Sequence, residues 1–116
     1  MQNMGESLYA KIRTKERFNV ELNAAFCIKG QGTQHQECRI TNLSSSGAQV
    51  RFPRTGSLSS GAVVSLNITI PNTVMRIATE AEIMWIRQRF NELIGGIKFT
   101  GILSDSMIQQ LAKKNP

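Results

Sequence analysis

The feature that most constrains this chain is a two-residue alternation of apolar and polar side chains, recurring in six separate runs. In the first run Phe18, Val20, Leu22, Ala24, Phe26 and Ile28 share one parity, while Asn19, Glu21, Asn23, Cys27 and Lys29 take the other. Successive side chains of a strand point to opposite faces, so this pattern specifies a half-buried strand. Gly30-Gln31-Gly32-Thr33 is a turn. A second strand follows over about Gln36 to Leu43, with Ile40 its clearest core residue. Ala48, Val50 and Phe52 then alternate against Gln49 and Arg51, and residues 53–61 form a Ser- and Gly-rich loop. Ala62, Val64, Leu66, Ile68 and Ile70 make the next strand, which Pro71-Asn72 ends. Met75, Ile77, Ala81, Ile83 and Trp85 line one face of a long strand. After a turn at Asn91, the last strand carries Leu93, Ile97 and Phe99, and Gly95-Gly96 within it predicts a bulge or bend.

Short strands with turns at near-regular spacing predict an all-β fold, a six-stranded antiparallel β-barrel over residues 18–101. The period then changes. Met107, Ile108 and Leu111 fall at helical spacing after Ser104-Asp105, an N-cap sequence, and Lys113 and Lys114 suit the last turn. A short C-terminal helix over residues 104–114 is expected, packed on an end or side of the barrel. Residues 1–17 show no clear period and read as a flexible N-terminal arm. The whole chain, residues 1–116, is expected to be one domain.

Composition narrows the partners. No apolar run approaches the ~20 residues that span a bilayer, and the N-terminus lacks a secretory pattern, so a cytoplasmic protein without membrane insertion is expected. The formal net charge of +6 favours an anionic partner: nucleotide, nucleic acid or membrane surface. A hairpin turning near Gly32-Thr33 would set Cys27 opposite Cys38, but a reducing cytosol disfavours a disulfide. Two cysteines and the single His35, expected in the solvated hairpin loop, do not make a zinc site. Catalysis has little support. His35 in a mobile tip is a poor base, and Glu80 and Glu82 read as a solvated face balancing nearby arginines. No enzyme activity, metal or cofactor is expected.

Two short motifs carry the chemistry. Arg13-Thr14-Lys15-Glu16-Arg17 reads R-x-x-x-R just before the first strand, and Asn42-Leu43-Ser44-Ser45-Ser46-Gly47 reads [D/N]-x-S-x-x-G in the turn after the second. Guanidinium forks fit phosphate oxygens and the O6/N7 edge of guanine. Arg13 and Arg17 would lie about 13 Å apart if extended and closer across a turn, able to grip opposite sides of a compact ligand. As plain surface residues they would instead pair with Glu16 and Glu21. Asn42 can donate to and accept from a base edge, and Ser44 can do so through its hydroxyl. Gly47 permits positive φ and removes a Cβ that would block a ligand. The same three residues also suit simple turn formation. Lys11, Arg51, Trp85 and Arg87 are secondary binding candidates. Trp85 lies in an apolar alternation, so it is expected chiefly in the core, with Arg87 on the same parity at the rim.

The two motifs, in this order and one hairpin apart, resemble the signature of the PilZ domain family of bacterial cyclic di-GMP receptors. The resemblance extends from about residue 11 to 112 and includes the Trp85 strand and Gly96-Ile97-Lys98-Phe99. It implies a six-stranded barrel with cyclic di-GMP as ligand, bound by Arg13, Arg17, Asn42, Ser44 and Gly47, with the arm folding over it. Asn42 takes the amide option where many members carry Asp. Ile12 precedes the arm motif where a further arginine would favour a stacked nucleotide dimer, although Lys11 is close. The expected role is a second-messenger receptor that presents a changed surface to an unidentified effector protein, with motility, pilus, biofilm or exopolysaccharide outputs all compatible. Two alternatives stand beside it. One is a PilZ-like adaptor acting through protein contacts without nucleotide. The other is a small barrel binding single-stranded nucleic acid, which would want exposed aromatics as stacking platforms; the aromatics here fall mostly on the expected core faces, so a nucleic-acid partner is not expected.

Overall fold

The computed structural model describes residues 17–32, 34–55 and 58–112. Six strands form: β1 (Phe18–Ile28), β2 (Gln36–Leu43), β3 (Gly47–Pro53), β4 (Val63–Thr69), β5 (Arg76–Arg89) and β6 (Glu92–Phe99). All pair antiparallel and close into a barrel in the order β1-β2-β3-β6-β5-β4. The six-stranded all-β barrel read from the alternation is therefore the observed fold. A helix, α1 (Asp105–Ala112), follows, and no helix among the described residues is long and apolar enough to cross a membrane.

The interior is filled by the predicted parity, apart from Leu43, which turns inward past a register shift between Ile40 and Asn42. Leu22, Ala24, Phe26 and Ile28 of β1 are buried with Ile40 and Leu43 of β2, Val50 and Phe52 of β3, Val64, Leu66 and Ile68 of β4, Ala81 and Ile83 of β5, and Ile97 and Phe99 of β6. Leu58 and Leu103 are buried too, although both belong to loops. They join the core from outside the strands, where no alternation announces them. The Ser104 hydroxyl accepts from the Met107 N–H at 3.2 Å, and its carbonyl accepts from the Ile108 N–H at 3.0 Å, so Ser104 is the N-cap. Ile108 and Leu111 bury against the barrel, with β1 as the strand nearest α1. Met107, expected with them, stays partly exposed because it turns off their face. Lys113 and Lys114 lie outside the described residues.

Three expectations need correction. First, Cys38 pairs with Ala24, not Cys27, because the β1–β2 connection is longer than a tight turn at Gly32. Cys38 points inward, whereas the half-buried Cys27 sets its Sγ 3.0 Å from the Gly32 carbonyl. Second, the irregularity predicted in β6 lies across the ladder in β5. Ile83 pairs with Ile97 and Trp85 with Gly96, so two steps on β5 match one on β6. Third, that bulge reverses the parity of β5, leaving Trp85 on the outer surface, 40% exposed, instead of in the core.

Burial pushes the Cys38 thiol up to about 12, from an ordinary 9.0. Alkylation of the folded protein at about pH 8 is expected to modify Cys27 well before Cys38, since the thiolate is the reactive form. Peptide mass spectrometry with time reads this, and equal rates would mean that β2 opens readily. The linkage has a definite sign. The folded state keeps the Cys38 proton that the unfolded chain releases, so its contribution is full below pH 9.0 and fades as pH climbs toward about 12.

Candidate functional site

The turn between β2 and β3 is built from its own sequence. The Ser44 N–H donates to the Gly47 carbonyl at 2.9 Å. The Ser44 hydroxyl lies 3.2 Å from that carbonyl and 3.2 Å from the Gly47 N–H, which donates to it. Ser44 is 2% exposed, so its side chain braces the turn from behind. The turn is tied to the far end of β6: Phe99 N–H donates to the Ser46 carbonyl at 2.8 Å, and Leu103 N–H to the Ser45 carbonyl at 2.9 Å.

Gly47 is required for a reason other than the one read from sequence. Its φ is not positive; instead, a Cβ there would collide with the backbone carbonyl oxygen of Ile97. The position pairs with Lys98, and only a glycine lets β3 start this close to β6. Gly47→Ala forces backbone to move, and a loss of about 1–3 kcal/mol is expected, the usual scale for overpacking. Urea unfolding followed by circular dichroism measures it, and an unchanged midpoint would show that the ladder yields at no cost.

Outside the barrel, four strands each contribute one residue to a continuous row. Asn42 pairs with Gln49, Gln49 with Gly96, and Gly96 with Trp85. A Cβ at Gly96 would collide with the Trp85 indole, so this glycine is the seat on which the ring lies. The Arg87 guanidinium sits 5.3 Å from the centre of the ring. Beneath this row runs an open groove of about 710 Å³, lined by Arg17, Asn42, Ser46–Gly47, Gln49, Trp85 and Lys98 among others. Its volume falls in the ~300–1,000 Å³ range usual for small-ligand sites. Arg17 and Lys98 give the groove positive charge.

The predicted residues divide as follows. Arg17 reaches the turn directly: its Nη1 donates to Asn42 Oδ1 at 3.2 Å. It does not pair with Glu21, which binds Arg39 at 2.8 Å. Arg17, Asn42, Gly47 and Trp85 converge on the groove. Arg51 turns away into an ion pair with Glu92 at 3.1 Å and borders a separate depression of about 500 Å³. Arg13 and Lys11 lie outside the described residues. Gln49 and Lys98 are groove residues that sequence reasoning missed. Their signal was present, since both sit on outward parities of strands that flank the motif turn.

The family model of the PilZ domain matches residues 11–113. The chain belongs to the PilZ domain family. Among solved structures it is similar to "Structure of Bacillus subtilis Inhibitor of motility (MotI/DgrA)", with a TM-score of 0.64 and 18% identity over 85% of this chain and 47% of that one. At that identity the likeness concerns the fold, and this chain spans about half the length of that protein. No curated protein matches the chain. The PilZ domain family is, in general terms, a family of receptors and adaptors in cyclic di-GMP-related signalling, and generally not an enzymatic one.

Proposed function

We propose that this PilZ barrel is a cytoplasmic receptor for cyclic di-GMP, and that the ligand occupies the groove between the Ser44–Gly47 turn and Trp85. The observation that carries this reading is the Arg17–Asn42 hydrogen bond, which joins the end of the arginine motif to the start of the turn motif at the groove. Arg13 and Arg17 engage phosphates or guanine edges, Asn42 reads a base edge, and the exposed part of the Trp85 ring offers an apolar contact for a base. Ser44 keeps the turn in shape and sets the direction of its neighbours. Gly47 lets β3 start close against β6 at the edge of the groove. Arg51, committed to Glu92, contributes less, and Arg87 contributes through the ring it lies against. Folding of residues 1–17 over the ligand makes the new surface that an effector protein recognises. Regulation of motility, pilus, biofilm or exopolysaccharide machinery is the class of output this predicts.

Trp85 is the single tryptophan, so its fluorescence reports on this groove alone. Titration with cyclic di-GMP is expected to quench it saturably, as a guanine contacts the exposed part of the indole. Cyclic di-AMP is expected to bind far more weakly, because groups placed for guanine are left unpaired by adenine. Unquenched fluorescence together with no heat in calorimetry would sink the reading, and equal affinities would reduce it to phosphate binding.

A further inference from the structure

At the tip of the β5–β6 hairpin stands a residue that the fold does not need. Arg89 pairs with Glu92, so Phe90 and Asn91 form a two-residue loop. Phe90 takes φ 55° and is 84% exposed, whereas Asn91 does not take positive φ. A loop with positive φ at its first position alone favours glycine there, because a side chain with a Cβ is strained. Phe90 therefore accepts backbone strain and leaves its ring in water. Strain of this kind collects where a surface serves binding. A large aromatic exposed at a rigid turn has the properties of an interface anchor.

Its surroundings define the partner's charge. Arg87 and Arg89 share the outward parity of β5 beside Phe90, and Arg54 follows Pro53, the residue opposite Glu92. All three are exposed. Among the described residues, none of the three has an acidic partner in an ion pair; the nearby Glu92 carboxylate is taken by Arg51. We propose that Phe90, flanked along β5 by Arg87 and Arg89 and across the ladder by Arg54, is a docking knob for a partner protein that presents an apolar pocket with an acidic rim. One aromatic ring with three cations gives a membrane too little to hold, since stable anchoring takes a larger apolar insertion or a second signal. A pocketed protein surface desolvates the ring and pairs the cations at once. On β5, Arg87 lies between the knob and the groove, with its guanidinium 5.3 Å from the centre of the Trp85 ring. The inference rests on the adaptor role proposed above, but not on occupancy of the nucleotide groove.

Phe90→Gly separates a docking role from a structural one. If the residue serves docking, the variant folds and its melting temperature stays level or rises by a few degrees. A fall of more than about 5 °C would show that the ring stabilises the barrel, and the inference would fall. The partner is then sought by placing the photoreactive p-benzoylphenylalanine at position 90 of the full chain in the cells that make it, with the exposed Ile102 position as control. A protein captured from position 90 and not from 102 is purified and titrated with the barrel. Phe90→Gly and Arg89→Glu are each expected to weaken that complex at least tenfold, and Phe90→Tyr to keep it within about threefold. Unchanged affinity in Phe90→Gly, capture of nothing but a second copy of this chain, or no capture above control would each overturn the proposal. So would binding of the wild type, but not Phe90→Gly, to vesicles of phosphatidylglycerol and phosphatidylcholine, which would make the tip a lipid contact. Phe90→Gly is expected to leave Trp85 quenching by cyclic di-GMP intact. If quenching fails in the wild type while docking holds, the nucleotide reading falls alone.

Discussion

Phe52→Ala is expected to destabilise the barrel by about 3–5 kcal/mol, the usual cost of emptying a phenylalanine site in a packed core. Phe52 is 1% exposed and meets the Phe26 ring edge-on, with centroids 5.0 Å apart and planes at 76°. It lies on β3, which is paired on both sides, by β2 and by β6, so the surrounding backbone cannot collapse into the space. Its ring also approaches Gly95, where a Cβ would sit 3.0 Å from Phe52 Cε2. The ring thus fills room that no other side chain supplies. Domains of this size hold only about 5–15 kcal/mol in total, so much of the stability would go. Urea unfolding measures the loss. A cost below about 1 kcal/mol would mean that Leu58 or another lining residue refills the cavity, against the packing described.

The second large effect concerns the arm. Replacing Arg13 and Arg17 together by alanine is expected to weaken cyclic di-GMP binding by at least ~100-fold. Each lost charge-assisted hydrogen bond is worth about 1.5–3 kcal/mol, and two such losses exceed that threshold. Arg17 is exposed and precedes the first core residue, so melting is expected to be unchanged within the usual small effect of surface substitutions. Calorimetric titration of wild type and double variant decides it. Binding within threefold of wild type would remove the arm from the site and leave the turn and Trp85 to account for the affinity alone.

Much of the barrel was legible because alternation is a local signal with a global meaning. Once Leu22, Ala24, Phe26 and Ile28 share a parity, their burial follows from the pleat, and the same held for Val64, Leu66 and Ile68. The turn motif was legible as a turn because Ser44 bonds to a residue three positions away. The features that sequence misplaced depend on neighbours distant along the chain. Trp85 left the core because one extra residue enters β5 opposite Gly96, and periodicity continued across that point gives the wrong face. The need for Gly47 comes from a carbonyl fifty positions later, not from its own backbone angle. Cys27 and Cys38 were paired by assuming a tight turn, and a longer connection moved the register. Leu58 was hidden in a Ser- and Gly-rich loop, where one apolar residue has no period to betray it.

The order of strands bears on how such a barrel is made. β6 is the last strand in sequence, yet it lies between β3 and β5 and supplies Gly96, Ile97 and Lys98 to the groove. During synthesis, the first five strands can emerge with both motifs complete while the groove still lacks its middle. A chain interrupted before residue 92 would own both motifs and lack the middle of the groove. On the reading proposed above, nucleotide recognition waits for the last strand, and unfinished copies do not draw the ligand away.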